Sequence, residues 1–181
     1  MALKSTIYKV DLHITDMDRQ YYAQHSLTLA KHPSETDERV MVRLIGFALY
    51  ASQTLAFGKG LSDDEEPDLW QKDLTGAIEL WIDVGLPTEK DIRKACGRSK
   101  QVIVMLYGGR IADMWWDTNS KGLLKLNNLT VINLPETQAL AGLAAKSINI
   151  SCTIQDRELM VSHDSGSFNL MPIILKEPTS Y

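Results

Sequence analysis

The chain alternates strongly near its start. From Thr6 to Thr15, Tyr8, Val10, Leu12 and Ile14 share one face, and Lys9, Asp11 and His13 the other. Tyr21 to Leu29 alternates again, with Tyr21, Ala23, Leu27 and Leu29 opposed to Tyr22, Gln24, Ser26 and Thr28. A period of two is the mark of a half-buried strand, and the polar run 16–20 between the stretches predicts a hairpin. Pro33-Ser34-Glu35-Thr36-Asp37 then opens a helix, with Ser34 as predicted N-cap and Asp37 at the capping-box position. It runs to about Ser52 and is apolar on most sides, as a buried central helix is.

The middle of the chain predicts short strands over 54–57 and 68–70, then a clear one over 78–84. In that strand Ile78, Leu80, Ile82 and Val84 oppose Glu79, Trp81 and Asp83. Thr88 predicts the cap of a second helix, with Ile92, Ala95 and Cys96 as its narrow apolar stripe and Gly97 placed to end it. The unbroken apolar run 102–107 suits the middle of a parallel sheet. A helix near 111–118, a strand over 129–134, a short helix over 135–145, an alternating stretch over 148–154 and two further strands complete the pattern. The order is a β-hairpin, then α-β-β-β-α-β-α-β-α, then a β-rich end. It predicts an α/β domain spanning residues 1–181, with one mixed sheet flanked by helices. The two β-rich ends either form a second small sheet or extend the first.

Composition narrows the function classes. The 181 residues are 44% hydrophobic and carry a net charge of −4, which disfavours a globally basic nucleic-acid coat protein but leaves room for a local basic patch. No apolar run is long enough to cross a membrane, and Met1-Ala2-Leu3-Lys4-Ser5 carries neither a signal-peptide core nor an acylation motif. Cys96 and Cys152 lie outside any metal spacing, so a reduced cytoplasmic protein is expected. Charge is more telling locally. Residues 62–68 hold five acids and no base, and residues 89–100 a net of +3. An acidic turn before a basic helix is either two solvated faces or a metal site beside a phosphate-binding surface.

The chemistry-bearing pattern is Pro67-Asp68, ten residues, then Glu79-Leu80-Trp81. Two acids at the ends of adjacent strands can share one divalent cation. Mg²⁺ keeps several waters and needs only one or two carboxylates plus a substrate phosphate. Such an ion generates hydroxide and offsets phosphate charge, and a nearby lysine assists.

The order α-β-β-β-α-β around these residues resembles the restriction-endonuclease-like fold, whose signature is PD-(D/E)xK. More narrowly, the chain resembles the bacterial YaeQ family. This rests on Lys9-Val10-Asp11-Leu12-His13, Pro33-Ser34-Glu35-Thr36, Pro67-Asp68-Leu69-Trp70, Glu79-Leu80-Trp81-Ile82-Asp83-Val84-Gly85 and Arg93-Lys94-Ala95. The resemblance spans almost the whole chain. It implies a nuclease-like core with extra β-hairpins from the N- and C-terminal segments, but it carries no established function.

The signature lysine falls at position 81, where this chain has Trp81. Members of the wider fold that take the lysine from the following helix suggest Lys90 or Lys94 here, with Lys94 preferred. Arg98 is either a phosphate clamp or a surface ion pair. Glu38, on the first long helix, is either a third acid or an ordinary first-turn acid favoured by the helix dipole. Asp83 is either a metal ligand or a solvated strand-end residue. Trp81 either stacks a base or seals a sheet edge. Glu35, Arg39 and Arg43 have the spacing of an ion-pair ladder. Trp115 and Trp116 dock their helix. The four histidines have no metal spacing, and no phosphate-binding glycine motif or nucleophile triad is present.

Two functional readings follow. One is a Mg²⁺-dependent phosphodiesterase acting on nucleic acid, with Asp68 and Glu79 holding the metal, Lys94 assisting the water and residues 90–100 holding phosphates. The other is a non-catalytic module on the same fold that binds a nucleic acid or a protein.

Overall fold

The computed structural model describes residues 4–179; Met1, Ala2 and Leu3, where the expected absence of a leader is read, lie outside them. In chain order the elements are β1 (Thr6–Asp16), β2 (Tyr21–Lys31), α1 (Asp37–Tyr50), β3 (Ala56–Phe57), a 3₁₀ turn (Gly60–Ser62), β4 (Leu69–Lys72) and β5 (Ile78–Val84). Then come α2 (Glu89–Arg98), β6 (Ser99–Tyr107), α3 (Arg110–Leu123), β7 (Leu129–Leu134), a 3₁₀ segment (Thr137–Leu143), β8 (Ser147–Gln155), β9 (Glu158–His163), β10 (Gly166–Leu170) and β11 (Ile173–Lys176). The strands form two mixed sheets, so the α/β class expected from the pattern is present.

The chain folds as two compact units. The first runs through Ala51 and takes in Thr137–Pro172. Its five-stranded sheet has the order β10-β9-β8-β1-β2. The β-rich ends of the chain therefore make a sheet of their own: β1 pairs parallel with β8 from Lys9↔Ser147 to Asp16↔Ile154. The alternation dictates which face is covered. Val10, Leu12 and Ile14 of β1 and Ile148, Ile150 and Cys152 of β8 are buried, and α1 buries every residue from Val40 to Ala48.

That burial includes a charge. Glu35 precedes α1 and is itself buried. It accepts from Arg39 Nη1 at 2.6 Å and from Arg43 Nε and Nη2, each at 2.9 Å, while Arg43 Nη2 also donates to the Ala30 carbonyl. The predicted ladder forms, but as a desolvated cluster joining β2 to α1. Its satisfied geometry matters because a lone buried carboxylate is strongly destabilising.

The second unit comprises Ser52–Glu136 and the segment from Ile173. Its six-stranded sheet has the order β11-β7-β6-β5-β4-β3, with β5, β6 and β7 parallel. Val102, Val104, Leu106, Leu129 and Val131 form one core with Ile92 and Ala95 of α2 and Ala112 and Leu123 of α3. Trp115 and Trp116 dock α3 on it, as expected.

Four local expectations need correction. Thr36, not Ser34, caps α1: its hydroxyl accepts from the Arg39 amide. The Ser34 hydroxyl is engaged with His32 Nδ1. Helix α2 passes through Gly97 and is capped at Ser99. The segment after Pro135 winds as 3₁₀ rather than α. The C-terminal part contains three strands beyond β8, not two, and the last crosses to the second sheet.

On β2, His25 bonds to the Tyr21 hydroxyl at 2.8 Å and meets the Phe47 ring edge-on at 5.0 Å. Burial lowers its pKa from the ordinary 6.5, so the folded state favours the neutral ring. As pH falls through that value the unfolded chain binds the proton first, and stability is lost. Urea midpoints of the wild type are expected to drop between pH 8 and pH 5.5, and those of His25→Phe to drop less; equal slopes would contradict this.

Candidate functional site

The pattern Pro67-Asp68 is built on backbone. The Gly58 and Gly60 amides donate to the Asp68 and Pro67 carbonyls at 3.0 and 3.1 Å. This close approach leaves no room for side chains. A Cβ on Gly58 would stand 2.2 Å from the Pro67 oxygen, and one on Gly60 would stand 2.5 Å from Asp68 Oδ1. Asp68, directly before β4, is only 3% exposed. Its Oδ2 accepts from the Val84 amide at 2.8 Å. Leu69 pairs with Ile82, so Asp68 stands level with Asp83 on the neighbouring strand. Residues opposed in this way have Cβ atoms about 5 Å apart.

Asp83 Oδ2 accepts from the Trp81 indole at 2.9 Å. Trp81 itself is 5% exposed. It belongs to the core under α2 and meets Trp70 edge-on at 6.1 Å. The Arg98 guanidinium lies over its ring at 5.1 Å.

The acidic and basic charge runs meet at Glu65. This carboxylate accepts from Lys94 Nζ and, at 3.3 Å, from Arg98 Nη1. Its pKa is lowered, first by the Lys94 hydrogen bond. Three residues before Asp68, Glu65 thus fastens the entry of β4 to α2. Pairing sets Asp68 level with Asp83, beside Trp81 and Arg98, and Glu65 links Lys94 to the segment that leads into Asp68.

Glu79 is set apart. A register shift near Gln71 and Lys72 disrupts the β4–β5 ladder beside it. It lies four residues from Asp83, or ~13 Å along the strand. There it accepts from Gln71 Nε2 at 2.9 Å and faces Lys100 Nζ at 3.9 Å. Lys90 is exposed on α2. Glu38 belongs to the first unit, where the Thr137 hydroxyl donates to it at 2.7 Å. Among the described residues no three His, Cys, Asp or Glu side chains gather as a metal-binding group.

The family model described as YaeQ protein matches residues 1–172. The chain belongs to the YaeQ family. It is 38% identical over 181 residues to the Escherichia coli (strain K12) "Uncharacterized protein YaeQ", covering 99% of this chain and all of that one. The Salmonella typhi relative of the same name is 36% identical over the same span. The crystal structure of YaeQ protein from Xanthomonas axonopodis pv. citri superposes with a TM-score of 0.93 at 48% identity, covering 96% of this chain and 99% of that one. The Pseudomonas syringae YaeQ crystal structure gives 0.91 at 33%, covering 96% and 97%.

Three residues of this region escaped the sequence reading: Gly58, Gly60 and Glu65. The first two carried a signal, since Gly-x-Gly just before an acidic turn marks close backbone approach. Glu65 carried none, because any of several neighbouring acids could have met α2. No helix among the described residues is long and apolar enough to cross a membrane.

The glycines give a paired test. Gly58→Ala forces a methyl against backbone that cannot yield, and is expected to cost about 1–3 kcal/mol in urea unfolding. Gly97→Ala, in α2 with nothing within 4 Å of the added carbon, is expected to stabilise by about 0.5–1 kcal/mol. Equal effects would contradict the tight loop.

Proposed function

We propose that this YaeQ chain is a Mg²⁺-dependent phosphodiesterase acting on nucleic acid, built on a restriction-endonuclease-like core in the second unit. The observation that carries the reading is the placement of Asp68 level with Asp83, with Lys94 and Arg98 drawn by Glu65 to the segment that leads into Asp68.

The donor set fits the ion. Two carboxylates on adjacent strands are what Mg²⁺ takes from a protein when waters and phosphate oxygens complete its octahedron. When bound, the ion supplies charge neutralisation at the phosphate and a more acidic water. The rest falls to the chain. The Val84 amide holds one oxygen of Asp68, and the Trp81 indole holds one of Asp83, so both carboxylates are oriented in advance. Lys94 and Arg98 are poised to exchange Glu65 for a substrate phosphate, Lys94 orienting the attacking water and Arg98 holding charge. In this reading Asp83 takes the metal-binding role first considered for Glu79. Glu79, with Gln71 and Lys100, lies further along β5 and positions the strand.

A specific feature favours the second reading, a non-catalytic binding module. Trp81 occupies the lysine slot as a core residue, and both candidate cations already have a carboxylate partner.

The test is nicking of supercoiled plasmid, single-stranded DNA and RNA with Mg²⁺ or Mn²⁺. Asp68→Asn keeps the acceptor for the Val84 amide, so the fold survives. Asp68→Asn, Asp83→Asn and Lys94→Ala are each expected to lose about 100-fold or more, while Glu79→Gln keeps most activity. Cleavage that is equal in all preparations identifies a contaminant and overturns the proposal. An inactive wild type on all three substrates favours the binding module.

A further inference from the structure

We infer that two copies of this chain associate through β2, joining their five-stranded sheets edge to edge into one of ten strands. The inference is independent of the phosphodiesterase reading and concerns the other unit.

Four strands end the two sheets: β10 and β2 in one, β11 and β3 in the other. An open edge presents unpaired backbone groups, and proteins blunt such edges by shortening, bulging or charging them. Three of the four are shorter than β2. β3 has two residues, β10 has five, and β11 has four with a register shift. β2 is different. It has eleven residues, pairs with β1 without interruption from Asp16↔Tyr21 to Thr6↔Lys31, and contains no proline. From Tyr21 to Ala30 it carries no Asp, Glu, Lys or Arg, in a chain that is 23% charged. At the far end of this stretch Arg43 Nη2 donates to the Ala30 carbonyl.

The missing charge identifies the occupant. A second β2, run antiparallel about a twofold axis at Ser26, meets no like-charge repulsion along 21–30. On the exposed face Ser26 opposes Ser26, Gln24 opposes Thr28, and Tyr22 opposes Ala30. On the inward face His25 opposes Leu27 and Ala23 opposes Leu29. Ala23, His25 and Leu27 are left half-exposed at this edge and become covered. Lys31, the one cation of the strand, faces Tyr21 of the second copy rather than another lysine. Ten neutral residues offer nothing to a strongly charged peptide, and a self-complementary register favours a second copy of the same strand.

Mass by light scattering tests this at rising protein concentration. The wild type is expected to reach twice the 20.3 kDa chain mass. Ser26→Lys places like charges directly opposite each other, which is destabilising. It is expected to stay monomeric with an unchanged circular dichroism spectrum. A second measurement fixes the register. Opposed residues in an antiparallel pair have Cα atoms about 5 Å apart, within reach of a disulfide. Ser26→Cys is therefore expected to form a covalent dimer under mild oxidation, and Tyr22→Cys is not. A monomeric wild type, a dimer that Ser26→Lys leaves intact, or cross-linking equal at both positions overturns the inference.

Discussion

A buried carboxylate that accepts from a backbone amide organises the second unit. Asp68 is almost without solvent, and taking an ionised carboxylate out of water is costly unless donors meet it. The Val84 amide supplies one at 2.8 Å. This bond ties the entry of β4 to the end of β5, and so fixes the register of the two strands. Everything near the site inherits that constraint. The Gly58–Gly60 backbone closes on Pro67 and Asp68, Asp83 comes level with Asp68, and Glu65 reaches α2.

The regular elements were legible where one physical signal dominated. The continuous apolar run 102–107 lies inside β6, and the strands over 78–84 and 129–134 lie where the pattern puts them. Thr88 caps α2 as its spacing to Asp91 implies. The α1 cap was misread because two hydroxyl residues compete within three positions, and His32 takes Ser34 out of the contest. Gly97 was misread as a stop because a glycine also survives inside an exposed helix turn.

The elements that carry the candidate residues were legible, and the pairing between those residues was not. Asp68, Glu79, Trp81, Asp83, Lys94 and Arg98 all fall in the second unit, on or beside the elements expected for them. Which acid faces which depends on hairpin register. A linear spacing of eleven residues between Asp68 and Glu79 does not encode where the turn at Asp73 closes or that the ladder shifts beside Glu79. Glu38 was plausible for the same reason: sequence gives the helix, but not the Thr137 hydroxyl that occupies its carboxylate. The Glu35 cluster shows the converse. Its spacing was read correctly, while its burial depended on Arg43 pointing toward the Ala30 carbonyl.

We propose that Asp68 and Asp83 together hold a divalent cation. The most direct measurement is a Mn²⁺ titration followed by paramagnetic broadening of amide and indole proton resonances. The Val84 amide and the Trp81 indole, the donors bonded to the two carboxylates, are expected to broaden first, and Asp68→Asn is expected to abolish the effect. Broadening centred on the acidic residues 63–66 or on Glu79, unchanged in Asp68→Asn, would contradict it.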